Sequence, residues 1–361
     1  MRETGTDAPV TDPPVLYCPI APAVHPQAER IEAECRAWLA AWGLFADEAG
    51  RARLAGARAG ELAARVLPRG SSEGVRLVAD YRMWLFAFDD LAGAGTAAHR
   101  SWPGLATASC RLRRVLDAPW ADPGGDPWAR ALRELRLRVE ALATPVQLDR
   151  WIAATGHYLA GLAWEGAHRR TGATPSLNDW AVHHLHSGAA PACVALLDVV
   201  EGYELPTAQA LRPEIRALTE MCATLVAWDG DIVARARGVS RPGDRRDLVD
   251  LTAREYGCPP AQALLRAVAG RDRVMQRFQA LRARVEPGAP EPVRRYLAGL
   301  STWVRGHLDW SVRPDGYRRG GVLTPGRVRL SGRPSAPDDR PLPLPALAWW
   351  WRMPGDAPAR R

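Results

Sequence analysis

Apolar residues recur at three- and four-residue steps through most of the chain, the spacing of amphipathic helices. In HPQAERIEAECRAWLAAWGLF, Ile31, Cys35, Trp38 and Trp42 share one stripe, and Pro26 suits the helix start. In VRLVADYRMWLFAFDD a second stripe runs through Val78, Tyr81, Trp84, Leu85 and Phe88. Similar patterns predict helices over about 50–67, 74–91, 97–116, 127–140, 145–170, 176–200, 207–238, 246–254, 259–285 and 289–312. Gly/Pro clusters such as DAPWADPGGDP, ATP, ELPT and CPP separate them. No β-branched alternating run predicts a strand, and no segment repeats at a fixed period. The expected architecture is all-α, a single helical domain over residues 15–320. Residues 1–14 are polar and Pro-rich and read as a disordered lead-in. Residues 321–361 turn Pro- and Arg-rich with no sustained period, so a disordered tail is expected there. Its ALAWWWRM cluster, with Trp349, Trp350 and Trp351, is suited to touching a partner or a membrane interface.

Composition narrows the class. The chain has 361 residues, 47% hydrophobic and 24% charged, enough for a substantial core. No apolar run approaches the roughly 18 to 20 residues that span a bilayer, so no stable membrane insertion is expected. The first residues show no apolar segment of a secretory signal. Six cysteines without paired spacing suit a reducing compartment, and a cytoplasmic location is expected. The net charge is +8, and every one of the 48 basic residues is arginine. Because the arginines are dispersed and never form a block interleaved with aromatics, the charge does not predict nucleic-acid binding.

One stretch conflicts with simple helix electrostatics. WLFAFDDLAG places Asp89 and Asp90 beside bulky hydrophobes, just before glycines that mark a helix end. Anions there face the negative end of the macrodipole. Asp89 follows Leu85 and Phe86 by four and three residues and so points to their side of the helix. A solvated helix end is the plain reading; a cation site is the chemical one.

Several segments, in order and over nearly the whole helical region, resemble the bacterial class I terpene synthases. HPQAERIEAECRAWLAAWGL looks like that family's opening helix, and MWLFAFDDLAG like its aspartate-rich helix. WEGAHRRTGATPSLNDW is similar to the lead into its pyrophosphate-sensing helix, LLDVVEGYELP to the segment after that helix, and WVRGHLDW to the start of the last core helix. The resemblance implies a helical bundle around a central apolar cavity and a prenyl diphosphate substrate, farnesyl diphosphate first. It also implies up to three Mg²⁺ ions, held in part by Asp89 and Asp90. Carboxylate and phosphate oxygens suit this hard cation, and a metal cluster would reverse the helix-end penalty. Pyrophosphate would leave and an aromatic-lined pocket would hold the carbocation. Trp84, Phe86, Phe88, Trp180, Trp228 and Trp310 are candidate wall residues, with ordinary core packing as the alternative for each. The family often forms dimers, so a homodimer is among the expected assemblies.

The chain departs from the family pattern at several places. A third acid of the aspartate-rich motif is replaced by Gly93. The second metal motif of Asn, Ser and Glu at i, i+4 and i+8 becomes Gly230, Ala234 and Gly238. Asp229 and Asp231 flank that line, each about 100° around the helix, and are candidates for a displaced ion. Small residues at this spacing would also suit close helix packing. The sensor arginine aligns with His184, and Ser187 and Gly188 with the linker and helix-break positions. An imidazole lacks the bidentate fork of arginine. His183, His184 and His186 lack the partner set of a zinc site. The closing Arg-Tyr motif has Gly316 before Tyr317, with Arg313, Arg318 and Arg319 near enough to donate to a diphosphate. The sequence supports two readings: a non-standard class I terpene synthase, or a catalytically inactive relative that binds an apolar or prenyl ligand or a partner protein. A chain-elongating enzyme would need a second aspartate-rich motif, which this sequence lacks.

Overall fold

The computed structural model describes residues 13–94, 102–237, 247–313 and 328–353. Local sequence sets most helix ends. The first three helices are α1 (Ala28–Trp42), α2 (Glu48–Gly56) and α3 (Ala59–Val66), and α1 stops at Gly43 in the left-handed region, where φ is 62°. Next come α4 (Ser72–Ala94), α5 (Trp102–Asp117), α6 (Pro127–Leu142) and α7 (Pro145–Thr171). The start of α7 is a capping box: Thr144 accepts from the Gln147 amide and Gln147 returns the bond, with Pro145 in the first turn.

The predicted helix over 176–200 is broken into α8 (Leu177–Ser187), α9 (Ala189–Val194) and α10 (Leu197–Val200), with Gly188 extended between the first two. The remaining helices are α11 (Thr207–Ala210), α12 (Pro213–Ala236), α13 (Leu248–Tyr256), α14 (Pro260–Val285) and α15 (Glu291–Ser311). α4 packs against α1, α3, α6 and α9, while α12 packs against α8, α14 and α15. A close approach joins α15 to α3: a side-chain carbon on Gly306 would lie 2.3 Å from the Arg65 carbonyl oxygen. Among the described residues, no helix is long and apolar enough to cross a membrane. All six cysteines are free thiols.

Two expectations need correction. Strands do occur: β1 (Val15–Tyr17) pairs in parallel with β2 (Arg329–Ser331). Three residues are too short for an alternating pattern, and the partners lie more than 300 positions apart. The expected disordered tail is also folded over residues 328–353. Leu342, Leu344, Leu347, Trp350, Trp351 and Met353 are buried. The Trp350 indole donates to Glu220 on α12 at 3.0 Å, Arg277 on α14 donates to the Trp350 carbonyl at 2.8 Å, and Asn178 on α8 accepts from the Ala346 amide at 3.0 Å. Its alternating prolines and leucines hide any helical period, yet the leucines and tryptophans find apolar cover on three helices. The Trp cluster is thereby consumed in the core instead of serving an interface.

Candidate active site

The aspartate pair sits on the last turns of α4, which continues past it to Ala94. Tyr158, buried on α7, donates its hydroxyl to Asp89 Oδ1 at 2.7 Å. That bond selects the carboxylate's orientation. Asp90 is held differently: Arg53 of α2 donates through Nε and Nη2 to its Oδ2 at 3.0 and 2.9 Å. Neither partner carried a local sequence signal, since Tyr158 is 69 and Arg53 37 positions away.

Below Asp89 on the same stripe lies Phe86, stacked on Trp310 of α15 with ring centroids 5.9 Å apart and planes 15° from parallel. Trp310 is fixed by its indole N–H, which donates to the Ala57 carbonyl at 3.0 Å. Four residues earlier, the Arg82 guanidinium stands 4.5 Å over the Phe86 ring centre. The cavity beneath is lined by Val66, Val78, Arg82, Cys193, Val226, Trp303 and His307, among others. The usable space between these side chains is about 10 Å³.

The other aromatic candidates lie elsewhere. Trp84 and Phe88 stack on one another, centroids 5.1 Å apart, and face α6, where the Trp84 indole donates to the Trp128 carbonyl. Trp228 edges against Gly270 of α14, and Trp180 packs on His184 with centroids 4.0 Å apart. Periodicity places Trp84 and Phe88 on an apolar stripe but does not say which neighbour covers it. Here that neighbour is α6 and not the cavity. Conversely, Trp303, Cys193 and His307 reach the cavity without having been singled out from sequence. Spacing on α15 would have marked Trp303 and His307 as one face with Trp310.

The flanking acids of the second motif have structural partners. Asp229 is fully buried, and Arg271 of α14 donates to both its oxygens, at 2.6 and 3.2 Å. Burial pushes its carboxyl up, and the Arg271 charge opposes that rise. Asp231 accepts from the Leu248 amide at 2.9 Å, at the start of α13. Gly230 and Ala234 bring no oxygen donors, and Gly238 lies outside the described residues. A side-chain carbon on Gly230 would meet nothing within 4 Å, so close helix packing does not account for that glycine. The residues therefore suit one cation position and not the other. Adjacent carboxylates at Asp89 and Asp90 match Mg²⁺, which is commonly bound by one or two carboxylates plus substrate phosphates. The face of Gly230 and Ala234 does not.

The diphosphate candidates are partly dispersed. His184 lies in the last turn of α8 with Nδ1 3.2 Å from the Trp180 carbonyl. Arg313 pairs with Glu61 of α3, and its carbonyl accepts from Arg237. Tyr317, Arg318 and Arg319 lie outside the described residues. Gly188 is extended, and a side-chain carbon there would fall 2.8 Å from the His184 carbonyl, so the break favours glycine. His183 packs on Trp164 near Glu165 with its ring 5.8 Å from that of His184, while His186 packs against His157. Among the described residues, no three His, Cys, Asp or Glu side chains are grouped to hold a metal.

Comparison with known proteins places this arrangement. Residues 80–277 match the family model described as terpene synthase family 2, C-terminal metal binding. Bonnadiene synthase of Allokutzneria albata is 37% identical, covering 94% of this chain and 97% of that protein. The (+)-T-muurolol synthase of Streptomyces clavuligerus, a (2E,6E)-farnesyl diphosphate cyclizing enzyme, is 33% identical over 95% of this chain and 83% of its own. The crystal structure of SVS_A2, a protein from ancestral sequence reconstruction, superimposes with a TM-score of 0.84 at 30% identity, covering 94% and 99% of the two chains. The chain belongs to terpene synthase family 2 and is an enzyme of the bacterial class I terpene synthases, whose members bind divalent metal.

Proposed function

We propose that the chain converts a prenyl diphosphate, farnesyl diphosphate first, into a cyclic terpene with release of pyrophosphate. The observation that carries this reading is the adjacent pair Asp89 and Asp90, with Asp89 oriented by the Tyr158 hydroxyl one turn above Phe86, which stacks on Trp310. Asp89, with Asp90 beside it, would hold Mg²⁺ against the diphosphate; bound there, the metal neutralises the leaving group's charge. Trp310 would offer a ring face to the carbocation. His184 lies in the last turn before the break at Gly188 and would offer its imidazole to the diphosphate, while the Gly188 amide is held by the His184 carbonyl. Free thiols throughout fit action in the cytoplasm.

The test is incubation of the purified protein with geranyl, farnesyl and geranylgeranyl diphosphates and Mg²⁺. Pyrophosphate and a cyclic product should form with farnesyl diphosphate. Asp89→Ala should reduce the rate by at least about 10²-fold, the usual effect of losing one group that stabilises developing charge. If no diphosphate turns over, yet apolar ligands raise Tm without Mg²⁺, the protein is a non-catalytic container.

A further inference from the structure

The cavity floor carries a charge that a hydrocarbon pocket does not need. Arg82 lies seven residues before Asp89 on α4, about 10 Å deeper along the helix axis and on the same stripe. Among the described residues its guanidinium has no carboxylate partner; it faces the Phe86 ring and the Cys193 thiol, and its buried Nε has no hydrogen-bond acceptor. Opposite, on α15, stands His307, 5% exposed. Its Nδ1 lies 3.4 Å from Ser311 Oγ, which leaves Nε2 as its remaining polar atom. Burial and the nearby Arg82 charge hold this imidazole neutral, with its pKa pushed down to about 3. Both side chains line the same cavity, whose usable volume of about 10 Å³ matches one water molecule. A donor without an acceptor and a neutral imidazole around one water's volume form a polar site within an apolar wall.

We infer that Arg82 and His307 hold a single water at the floor of the cavity, and that this water captures the terminal carbocation so that the product is a terpene alcohol. The inference rests on the reaction proposed above and names its product class. Arg82 donates to the water oxygen and leaves a lone pair free; His307 accepts one O–H through Nε2. The water's lone pair forms a C–O bond to the cationic carbon, giving an oxonium. Its O–H bond then breaks, and the proton passes to His307 Nε2 and on to solvent when product leaves. In sum, a prenyl diphosphate and one water give an alcohol and pyrophosphate. Arg82 and His307 are positioning residues for the water.

The experiment is product analysis with farnesyl diphosphate and Mg²⁺ in H₂¹⁸O, with pyrophosphate release measured in parallel. The wild type should yield an alcohol carrying ¹⁸O. Arg82→Met and His307→Leu should each lower the alcohol-to-hydrocarbon ratio by about tenfold, the loss of one hydrogen bond to the water. Arg82→Gln, which keeps a donor, should restore much of the ratio; a ratio is unaffected by how much folded enzyme is present. Hydrocarbon as the sole wild-type product, or a ratio unchanged in both variants, overturns the inference while the proposed reaction stands. A wild type that releases no pyrophosphate from any prenyl diphosphate overturns the reaction, and the inference with it.

Discussion

Asp229 and Gly230 are neighbours with opposite lessons. Asp229 is neutralised by Arg271, and both side chains are fully buried. Arg271 also bonds the Tyr17 carbonyl and Asp272, so one guanidinium ties α12, α14 and β1 together. Removing one member of such a pair strands the other's charge. Arg271→Met should therefore destabilise the fold by about 3 to 5 kcal/mol, read from urea unfolding; a loss below 1 kcal/mol would show that the carboxyl sheds its charge without help. Gly230 points into open space within a helix. With no neighbour to displace, Gly230→Ala should stabilise by about 0.5 to 1 kcal/mol. Destabilisation in the same assay would mean that the position needs glycine's freedom.

Among the elements, the C-terminal segment departs most from its sequence pattern. Residues 328–353 add a strand beside β1 and then lay Leu342, Leu344, Leu347 and Trp350 across the helices that carry the site. Asn178, bonded to Ala346, belongs to α8, the helix that ends at His184 and Gly188. The segment thus clamps the sensor helix at its start. Trp350 is the largest fully buried side chain of the segment and donates to Glu220. Trp350→Ala should cost about 3 to 5 kcal/mol, with Tm falling as measured by calorimetry. A change under 1 kcal/mol would mean that the segment rests on the bundle without bracing it. The helices themselves were legible, because Thr144, Asp126, Ser176 and Asp247 cap their starts and the apolar period runs between. The break between α2 and α3 was not, because apolar periodicity continues across it; periodicity also hid the break at Gly188, which only the family resemblance marked.

For the molecule as a whole, buried titratable groups give stability a pH dependence with two opposing slopes. Glu32, 6% exposed between α1 and α3, accepts from the Glu61 amide at 3.1 Å, and burial raises its pKa from 4.5 to about 7. Its favourable contribution is complete below pH 4.5 and is lost as pH rises through about 7. His183 and His307 act in reverse: burial lowers each from 6.5 to about 3, so their contribution is present above pH 6.5 and lost as pH falls through about 3. Glu32→Gln isolates the first slope. Relative to wild type, the variant should gain stability between pH 5 and 8, of order 3 kcal/mol at most, in unfolding titrations at both pH values. A difference that stays flat would show that Glu32 titrates normally in the fold.

Sequence by itself determined the all-α class, the helix caps, the placement of Asp89 on the face of Phe86, and the loss of oxygen donors at Gly230 and Ala234. Each depends on residues within one or two helical turns, where spacing dictates direction. Tertiary structure decided what covers each aromatic of α4, turning Phe86 onto Trp310 of α15 and Trp84 and Phe88 toward α6. It also decided that Asp229 belongs to Arg271, Asp90 to Arg53 and Arg313 to Glu61, and that the Pro-rich C-terminal segment folds. A helical period states that a face must be covered, and a charge that it must be compensated. The covering or compensating group comes from parts of the chain tens to hundreds of residues away, beyond the reach of local spacing.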